Sequence, residues 1–233
     1  MIEITTLASG SKGNCYLIDD SHTKILLECG VSWKQVQIET NFNTKDIQAC
    51  LISHSHSDHS KAINEVAKAG INIYMSQEEK EMLGVTHHRI KHVEKLKRFQ
   101  VGTWIILPFG TEHDTDNPLG FLLANKAGEK LLFITDSFYC RYKFLGITHI
   151  MLEANYSTDI LNENIASGRV HKGMKKRLLR SHFSLENVKE FLKANDLYKV
   201  QEIHLLHLSD SNSDEARFKK EIQELTGKVV YVA

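Results

Sequence analysis

Short apolar and alternating segments along the N-terminal quarter of the chain predict β-strands. Residues 2–7 alternate between apolar and polar side chains, and residues 14–18 and 24–28 are apolar runs of strand length that follow turns. Residues 32–39 indicate a short helix, and the mostly apolar residues 47–53 predict a fourth strand. The chain therefore opens as a β-meander that leads into a buried strand.

The rest of the chain alternates irregularly between helical and strand patterns. Ile63, Val66 and Ala67 have the i, i+3, i+4 spacing of a helix with one buried face, which Gly70 ends. Further helices are predicted around residues 77–83, 160–165, 185–192 and 218–225. Further strands are predicted at residues 71–76, 103–110, 120–126, 130–136, 149–154, 200–208 and 228–233. This mixture indicates an α/β or α+β fold, and the lack of linkers and repeats predicts a single domain over residues 1–233.

Composition narrows the class of protein. The chain has 233 residues, of which 42% are hydrophobic and 25% charged, as in ordinary globular proteins. No apolar run approaches the ~18 residues of a membrane-spanning helix, and residues 1–10 lack the pattern of a signal peptide, so we expect a cytoplasmic protein without a membrane partner. The four cysteines are scattered without a CxxC pair and are expected to be small core residues.

Charge and histidine content both bear on function. Lys and Arg number 29 and Asp and Glu also number 29, giving a net charge of zero. Proteins that grip long polyanions are usually more basic, so this balance favours a small phosphorylated substrate over nucleic acid, which remains open. Thirteen histidines are unusual, and histidine is the commonest metal ligand.

Three histidines and an aspartate stand together between the strand at residues 47–53 and the following helix. The motif is His54-x-His56-x-Asp58-His59, whose nitrogen and carboxylate donors suit zinc, iron or manganese. One loop is too short to complete two coordination shells. The motif therefore predicts further ligands at the carboxyl ends of other strands, where α/β folds place their sites.

Three residues at later strand ends meet this expectation: His113, Asp136 and His207. Together with the HxHxDH motif they make the chain resemble a metallo-β-lactamase-fold hydrolase. The resemblance implies a four-layer αββα sandwich and two divalent metal ions, Zn²⁺ first and Mn²⁺ as the alternative. It also implies the ligands: one ion would be held by His54, His56 and His113, the other by Asp58, His59 and His207, with Asp136 as the bridge.

Other stretches resemble one subgroup of this fold. The segments "LASGSKGNCYLI", "EANYSTDIL" and "LLHLSDSNSD" are similar to small bacterial and phage members, one branch of which are nucleases. Another branch comprises the phage anti-Pycsar enzymes, which open cyclic pyrimidine mononucleotides. The resemblance implies a homodimer and, for a phage protein, the host cytoplasm. Glu28 stands where the family usually has Asp, at a position that steadies the histidine loop without binding metal.

The segment "RSHFSLEN" bears on the bond that is cleaved. It resembles the His-x-Ser/Thr motif of the phosphodiesterase branch, which includes tRNA 3′ processing enzymes. His182 would precede a helix N-terminus, where it can donate a proton to the leaving oxygen or steady the phosphoryl group, and Asp58 would accept the proton of the attacking water. The candidate substrate contacts are Asn155, Tyr156, Ser184, which can also cap the helix, and Arg180, the last cation of a basic stretch.

These patterns predict a dinuclear metal-dependent phosphodiesterase that hydrolyses a cyclic or otherwise small nucleotide. The first alternative is a DNA or RNA nuclease of the same fold. Thioester, lactam or redox chemistry on this scaffold is a further alternative, although His56 argues against the di-iron oxygen reductases, which usually carry Glu there. The last alternative is a metal-loaded protein that binds a nucleotide without turnover.

Overall fold

The structure is a computed structural model that describes all residues, Met1–Ala233. The chain forms two compact units. The first contains Met1–Gly110 and Thr115–Glu129, and the second contains Thr111–Asp114 and Lys130–Ala233.

A six-stranded sheet in the order β1 to β6 forms the main part of the first unit. Its strands are β1 (Glu3–Ala8), β2 (Cys15–Asp19), β3 (Lys24–Leu27), β4 (Ile47–Leu51), β5 (Asn72–Met75) and β6 (Ile90–His92). Pairing is antiparallel from β1 to β3 and parallel from β3 to β6. The parallel part is buried, which explains why β4 is almost continuously apolar rather than alternating.

Register brings the carboxyl ends of β3 and β4 together. Leu27 is paired with Leu51, and the Glu28 N–H donates to the Leu51 carbonyl at 2.9 Å. Glu28 therefore lies beside the start of the loop that carries the histidines. The helices of this unit are α1 (Trp33–Glu39), α2 (Ser57–Ser60), α3 (Ile63–Lys68) and α4 (Gln77–Leu83), and the side chains of Ser32 and Ser76 cap α1 and α4.

The first unit also contains an antiparallel set of three strands, β7 (Phe99–Val101), β8 (Trp104–Gly110) and β9 (Leu119–Ala124). The buried indole of Trp104 donates from Nε1 to the Thr23 carbonyl at 3.0 Å. This bond connects the set to the turn between β2 and β3.

The second unit is built on four parallel strands, β10 (Lys130–Ile134), β11 (His149–Glu153), β12 (Glu202–Leu206) and β13 (Val229–Val232). Its helices are α5 (Thr158–Ala166), α6 (Lys172–Ser181), α7 (Leu185–Ala194) and α8 (Glu215–Thr226). Because the strands are parallel, the residues that follow β10, β11 and β12 lie at one edge. Asp136, Glu153 and His207 are at that edge.

The cysteines are free and buried, as predicted. Cys15, Cys29 and Cys50 lie within one apolar core of the first unit, and Cys29 and Cys15 are close enough to Cys50 to affect its titration. Burial raises the pKa of the Cys15 and Cys50 thiols well above the usual value. These thiols are therefore neutral core residues.

The predicted α/β class is confirmed, and most predicted elements occur within a residue or two of their expected bounds. The short strands β6 and β7 were not predicted, because three residues are too few to show a period. None of the helices has both the length and the apolar character needed to span a bilayer. The single domain, the homodimer and the cytoplasmic location stay predictions.

Candidate active site

The histidine loop, residues 54–59, lies in the first unit between β4 and α3 and brings its donors close together. His54 Nε2 and His56 Nδ1 are 3.1 Å apart, and the ring centroids of His54 and His59 are 4.2 Å apart. Asp58 Oδ2 lies 3.4 Å from His59 Nε2. The loop thus presents imidazole nitrogens and a carboxylate to a common region.

The spacing of the first two nitrogens fits a metal ion. Two nitrogens bound to one tetrahedral Zn²⁺ at about 2.0–2.1 Å are about 3.3–3.4 Å apart. The distance of 3.1 Å between His54 Nε2 and His56 Nδ1 is close to this value. The other ring nitrogen of His54 is 2.8 Å from the Ser53 hydroxyl, the kind of contact that fixes the orientation of a ligating imidazole.

Two buried carboxylates hold the loop from outside. Glu28 accepts hydrogen bonds from the Ser53 N–H at 3.1 and 3.3 Å, and its Oε2 lies 3.6 Å from His59 Nδ1. Glu79 on α4 accepts from the Ser55 N–H at 2.8 Å. Burial raises the pKa of Glu28, although His59 and Ser53 oppose this effect. Glu28 has the contacts that its predicted role requires, and the longer side chain still reaches the loop.

The glycine-containing turn of residues 8–14 forms the floor of the loop. The backbone N–H of Asn14 donates to the Asp58 carbonyl at 2.7 Å, and Asn14 Nδ2 is 3.2 Å from His59 Nε2. Asn14 is fully buried, and its Oδ1 accepts from the Gly10 N–H and the Tyr16 hydroxyl. Sequence analysis did not select Asn14, because a single Asn in a turn normally indicates only turn geometry.

We expect replacement of Gly30 by alanine to displace the histidine loop. A Cβ at Gly30 would lie 1.6 Å from the backbone carbonyl oxygen of Asp58, and backbone cannot move aside as a flexible side chain does. The free energy of unfolding should fall by about 1–3 kcal/mol or more, and metal content should fall with it. Gly110→Ala is the matched control, because its Cβ would meet only the flexible end of Lys95, at 3.1 Å. Equal stability and metal content in both variants would contradict this prediction.

The second unit carries a cluster of four buried or nearly buried side chains, Asp136, Glu153, His182 and His207, whose potential ligand atoms all lie within 4.8 Å of one another. His207 Nδ1 is 2.6 Å from Asp136 Oδ1, and His182 Nδ1 is 2.5 Å from Glu153 Oε1. We call this group the carboxylate–histidine cluster. It contains two predicted metal ligands, the predicted catalytic histidine, and one residue that was not predicted.

Glu153, like Asn14, was not among the predicted site residues. It is the last residue of β11 and is fully buried. Its Oε2 accepts from the Ser137 N–H at 2.9 Å and the Phe183 N–H at 3.2 Å, so it joins the turns that carry Asp136 and His182. The available signal was an acidic residue that ends an otherwise apolar buried strand, because buried charges are rarely tolerated without partners.

The protonation of His182 depends on this cluster. Burial lowers the pKa of the imidazole, but the carboxylates of Glu153 and Asp136 outweigh burial and raise the pKa to about 9. In the metal-free protein His182 is therefore a cation at neutral pH. A cation in the turn between α6 and α7 is suited to contact an anionic group.

His113 precedes β9 in the chain and belongs to the second unit. Its Nδ1 lies 2.8 Å from the Ser181 carbonyl, to which a protonated Nδ1 donates, and its Nε2 is 3.8 Å from Asp136 Oδ2. Burial lowers the pKa of His113 despite the nearby carboxylates of Asp136 and Asp114. In a neutral imidazole whose Nδ1 carries the proton, the lone pair is on Nε2. This nitrogen is then the atom that can bind a metal.

Three residues of the candidate site, one beside the histidine loop and two in the carboxylate–histidine cluster, have the left-handed backbone conformation that non-glycine residues rarely adopt. The φ angles are +64° at Glu28, +38° at Asp136 and +52° at His207. Such conformations cost of order 1–3 kcal/mol each and cluster at active sites and ligand clamps, although Ser21, Asn41, Phe42 and Leu96 have them elsewhere in this chain. Their coincidence with predicted site residues supports a functional role for both groups.

Comparison with known proteins identifies the family. Residues 8–138, more than half of the chain, match the metallo-beta-lactamase superfamily. The exodeoxyribonuclease WalJ of Streptococcus pneumoniae is 30% identical over 224 residues, which cover 89% of this chain and 81% of that protein. The chain belongs to the metallo-beta-lactamase superfamily. It is a metal-dependent hydrolase, as predicted.

Two further proteins are similar to this chain, one in sequence and one in fold. The exodeoxyribonuclease YycJ of Bacillus anthracis is 26% identical over 230 residues, covering 91% of this chain and 84% of that protein. The crystal structure of the metallo-beta-lactamase fold protein YhfI from Bacillus subtilis is similar with a TM-score of 0.74 at 15% identity, covering 100% of this chain and 96% of that one. The predicted metallo-β-lactamase-type fold is therefore confirmed.

The four predicted substrate contacts have different surroundings. Asn155 is buried and donates from Nδ2 to the His207 carbonyl at 2.8 Å. Tyr156 is 1% exposed and packs with Leu161 in an apolar cluster. Ser184 caps α7, as predicted, and Arg180 is exposed on α6. Asn155 and Tyr156 therefore also have structural roles, and direct contact of the four residues with substrate stays a prediction.

Proposed function

We propose that this superfamily member hydrolyses phosphodiester bonds and that its substrate is DNA. The observation that carries the bond class is the position of His182, which is held by Glu153 and lies two residues before Ser184, the N-cap of α7. A cationic imidazole beside a helix N-terminus favours a phosphate group. The DNA substrate is supported by the relatives, two of which are named exodeoxyribonucleases.

We further propose that the two groups of donors bind two divalent metal ions. One ion would be held by His54, His56 and His113, the other by Asp58, His59 and His207, with Asp136 as a shared ligand. The nitrogen-rich set favours Zn²⁺, and Mn²⁺ is the alternative. Such a pair supplies a water of lowered pKa and neutralises the charge that develops on the phosphate oxygens.

The remaining chemistry belongs to the side chains. Asp58, whose side chain is 23% exposed, accepts the proton of the attacking water. His182 donates a proton to the leaving oxygen or holds the phosphoryl group. The contacts of Glu28, Glu79 and Asn14 keep the histidine loop in place during the hydrolysis of the substrate.

Metal content provides the first test. Elemental analysis of the purified protein should find two divalent ions per chain, and prolonged dialysis against a chelator should remove them. Because the ions bind donors that the folded chain brings together, their removal should lower the melting temperature as well as activity. His54→Ala should show the same loss, whereas His88→Ala, at a histidine outside both groups, should not. A wild-type protein without bound metal, or one whose melting temperature is unchanged by the chelator, would contradict the proposed site.

A substrate panel provides the second test. The wild-type protein is incubated with single-stranded DNA, duplex DNA, RNA and cyclic mononucleotides. We expect DNA to be degraded to mononucleotides or short products. A cyclic nucleotide is the second candidate, favoured by the net charge of zero, and hydrolysis of cyclic nucleotides without any cleavage of DNA would overturn the proposed substrate.

A further inference from the structure

One surface of the second unit carries a row of cations that the proposed reaction has not used. Helix α6 contains five Lys or Arg residues and no acidic residue. Lys172, Lys176 and Arg180 are four residues apart and therefore lie on one face, with about 6 Å of rise between successive positions. We call Lys172, Lys176 and Arg180 the cationic stripe.

The stripe is exposed and not neutralised by the protein. All three side chains are exposed, and none has an acidic partner. The neighbouring cations differ: Lys175 donates to Asn162 Oδ1 at 2.7 Å, and Arg177 Nε lies 4.0 Å from Asp114. Because the whole chain has no net charge, this concentration of unpaired positive charge is a local feature rather than a consequence of composition.

The opposite side of α6 is occupied by the protein. Leu178 packs against the apolar cluster of Tyr156, Leu161 and Val170, and Ser181 is buried. This packing fixes the rotation of the helix and keeps the stripe directed outward. Leu179 is 45% exposed and lies next to Lys172 around the helix, so an apolar side chain lies beside the charges.

The stripe leads to the proposed catalytic residues. Helix α6 ends at Ser181, whose carbonyl is 2.8 Å from His113 Nδ1, and His182 is the next residue. Arg180, the last member of the stripe, is therefore two positions from His182. A chain of phosphates lying along α6 would arrive at the residues that are proposed to act on one of them.

From this arrangement we propose that the cationic stripe binds the backbone of a single DNA strand and guides its end towards His182. The inference rests on the proposed function and names the surface by which a polymer is held. The stripe covers about 12 Å of helix, enough for a few consecutive phosphates, and the exposed side chain of Leu179 beside it can contact a sugar or a base. Phosphate contacts of this type give affinity without sequence preference.

Salt dependence of binding tests the stripe. A fluorescent single-stranded oligodeoxynucleotide is titrated with Asp58→Ala protein, whose slowed hydrolysis preserves the DNA during the titration, and with the same protein carrying Lys172→Gln, Lys176→Gln and Arg180→Gln. Loss of three phosphate contacts should weaken binding by about tenfold or more at low salt. It should also reduce the slope of log Kd against log salt by about 2, since each single-strand contact contributes about 0.7. The control removes the same charge elsewhere, with Lys199→Gln, Lys219→Gln and Lys220→Gln, and should bind as the parent does.

Turnover separates the stripe from the catalytic centre. On an otherwise wild-type background, the stripe substitutions should raise KM for the oligonucleotide at least tenfold more than they raise KM for bis(p-nitrophenyl) phosphate. This small diester is too short to contact the stripe while it occupies the catalytic centre. Equal effects on both substrates, or an unchanged salt slope, would overturn the inference. So would stripe-dependent binding to vesicles of anionic lipid without binding to DNA.

The same experiments distinguish failure of the two proposals. A protein that binds the oligonucleotide through the stripe but never cleaves it would overturn the proposed function and leave the binding surface in place. A protein that cleaves DNA with full dependence on Asp58 but no dependence on the stripe would do the reverse.

Discussion

Replacing Asp58 by alanine is expected to lower the rate of phosphodiester hydrolysis by about 10²–10⁴-fold, the usual contribution of a positioned general base. The loss of a metal ligand would add to this effect. The fold should survive, because Asp58 is anchored by its backbone carbonyl, which accepts from Asn14, while its side chain is partly exposed. The measurements are kcat on an oligonucleotide and on bis(p-nitrophenyl) phosphate, together with a thermal unfolding curve.

Asp46→Ala is the matched control for Asp58, since Asp46 is an exposed aspartate of the same unit. It should retain wild-type kcat. The pair of variants also addresses the alternative of a metal-loaded protein that binds without turnover. Such a protein would form no product in either variant or in the wild type, and retained turnover in Asp58→Ala would remove Asp58 from the mechanism.

Replacement of Glu153 should impair stability and catalysis together. Glu153→Ala leaves the His182 imidazolium without its counterion and two buried N–H groups without an acceptor, so we expect the free energy of unfolding to fall by about 3–5 kcal/mol. Glu153→Gln keeps the shape but not the charge, and turnover should fall by about 10²-fold or more because His182 is no longer held as a cation. Chemical denaturation and steady-state kinetics provide the two measurements.

The effect of Glu153 on stability should depend on pH in the metal-free protein. The pKa of His182 is raised from its usual 6.5 to about 9, so the interaction stabilises the fold fully below about pH 6.5 and its contribution is lost as pH rises through about 9. The difference in unfolding free energy between wild type and Glu153→Gln should therefore narrow across this range. Glu190→Gln, an exposed carboxylate that pairs with Lys193, should show no such trend. A constant difference for Glu153→Gln would show that the charge of His182 does not depend on it.

The fold could be predicted, and most residues of the candidate site could be proposed, because their signals are local. The HxHxDH motif lies in six consecutive positions, and a buried strand and an amphipathic helix on either side place it in a loop. His113, Asp136 and His207 were predictable because strand ends are readable from apolar runs. Glu153 was not, because its partners Ser137, His182 and Phe183 come from other turns and are near it only in the folded chain.

The distribution of charge could not be predicted from the sequence either. A net charge of zero favoured a small substrate over a polymer. The net charge, however, says nothing about where on the surface the charged side chains lie. The structure shows that Lys172, Lys176 and Arg180 share one exposed face, whereas Arg217 is paired with Asp159 and Glu221. Only the helix geometry and the ion pairs together identify where uncompensated charge remains.

The buried thiols offer a way to follow how the first unit opens. Cys50 lies in the strand that continues into the histidine loop, and Cys15 and Cys29 share its core, so a thiol reagent can reach them only when this sheet separates. Labelling rates measured by mass spectrometry, with and without added divalent ions, would report how often this sheet opens. Slower labelling in the presence of the ions would measure how much metal binding stabilises the strands next to the histidine loop against opening.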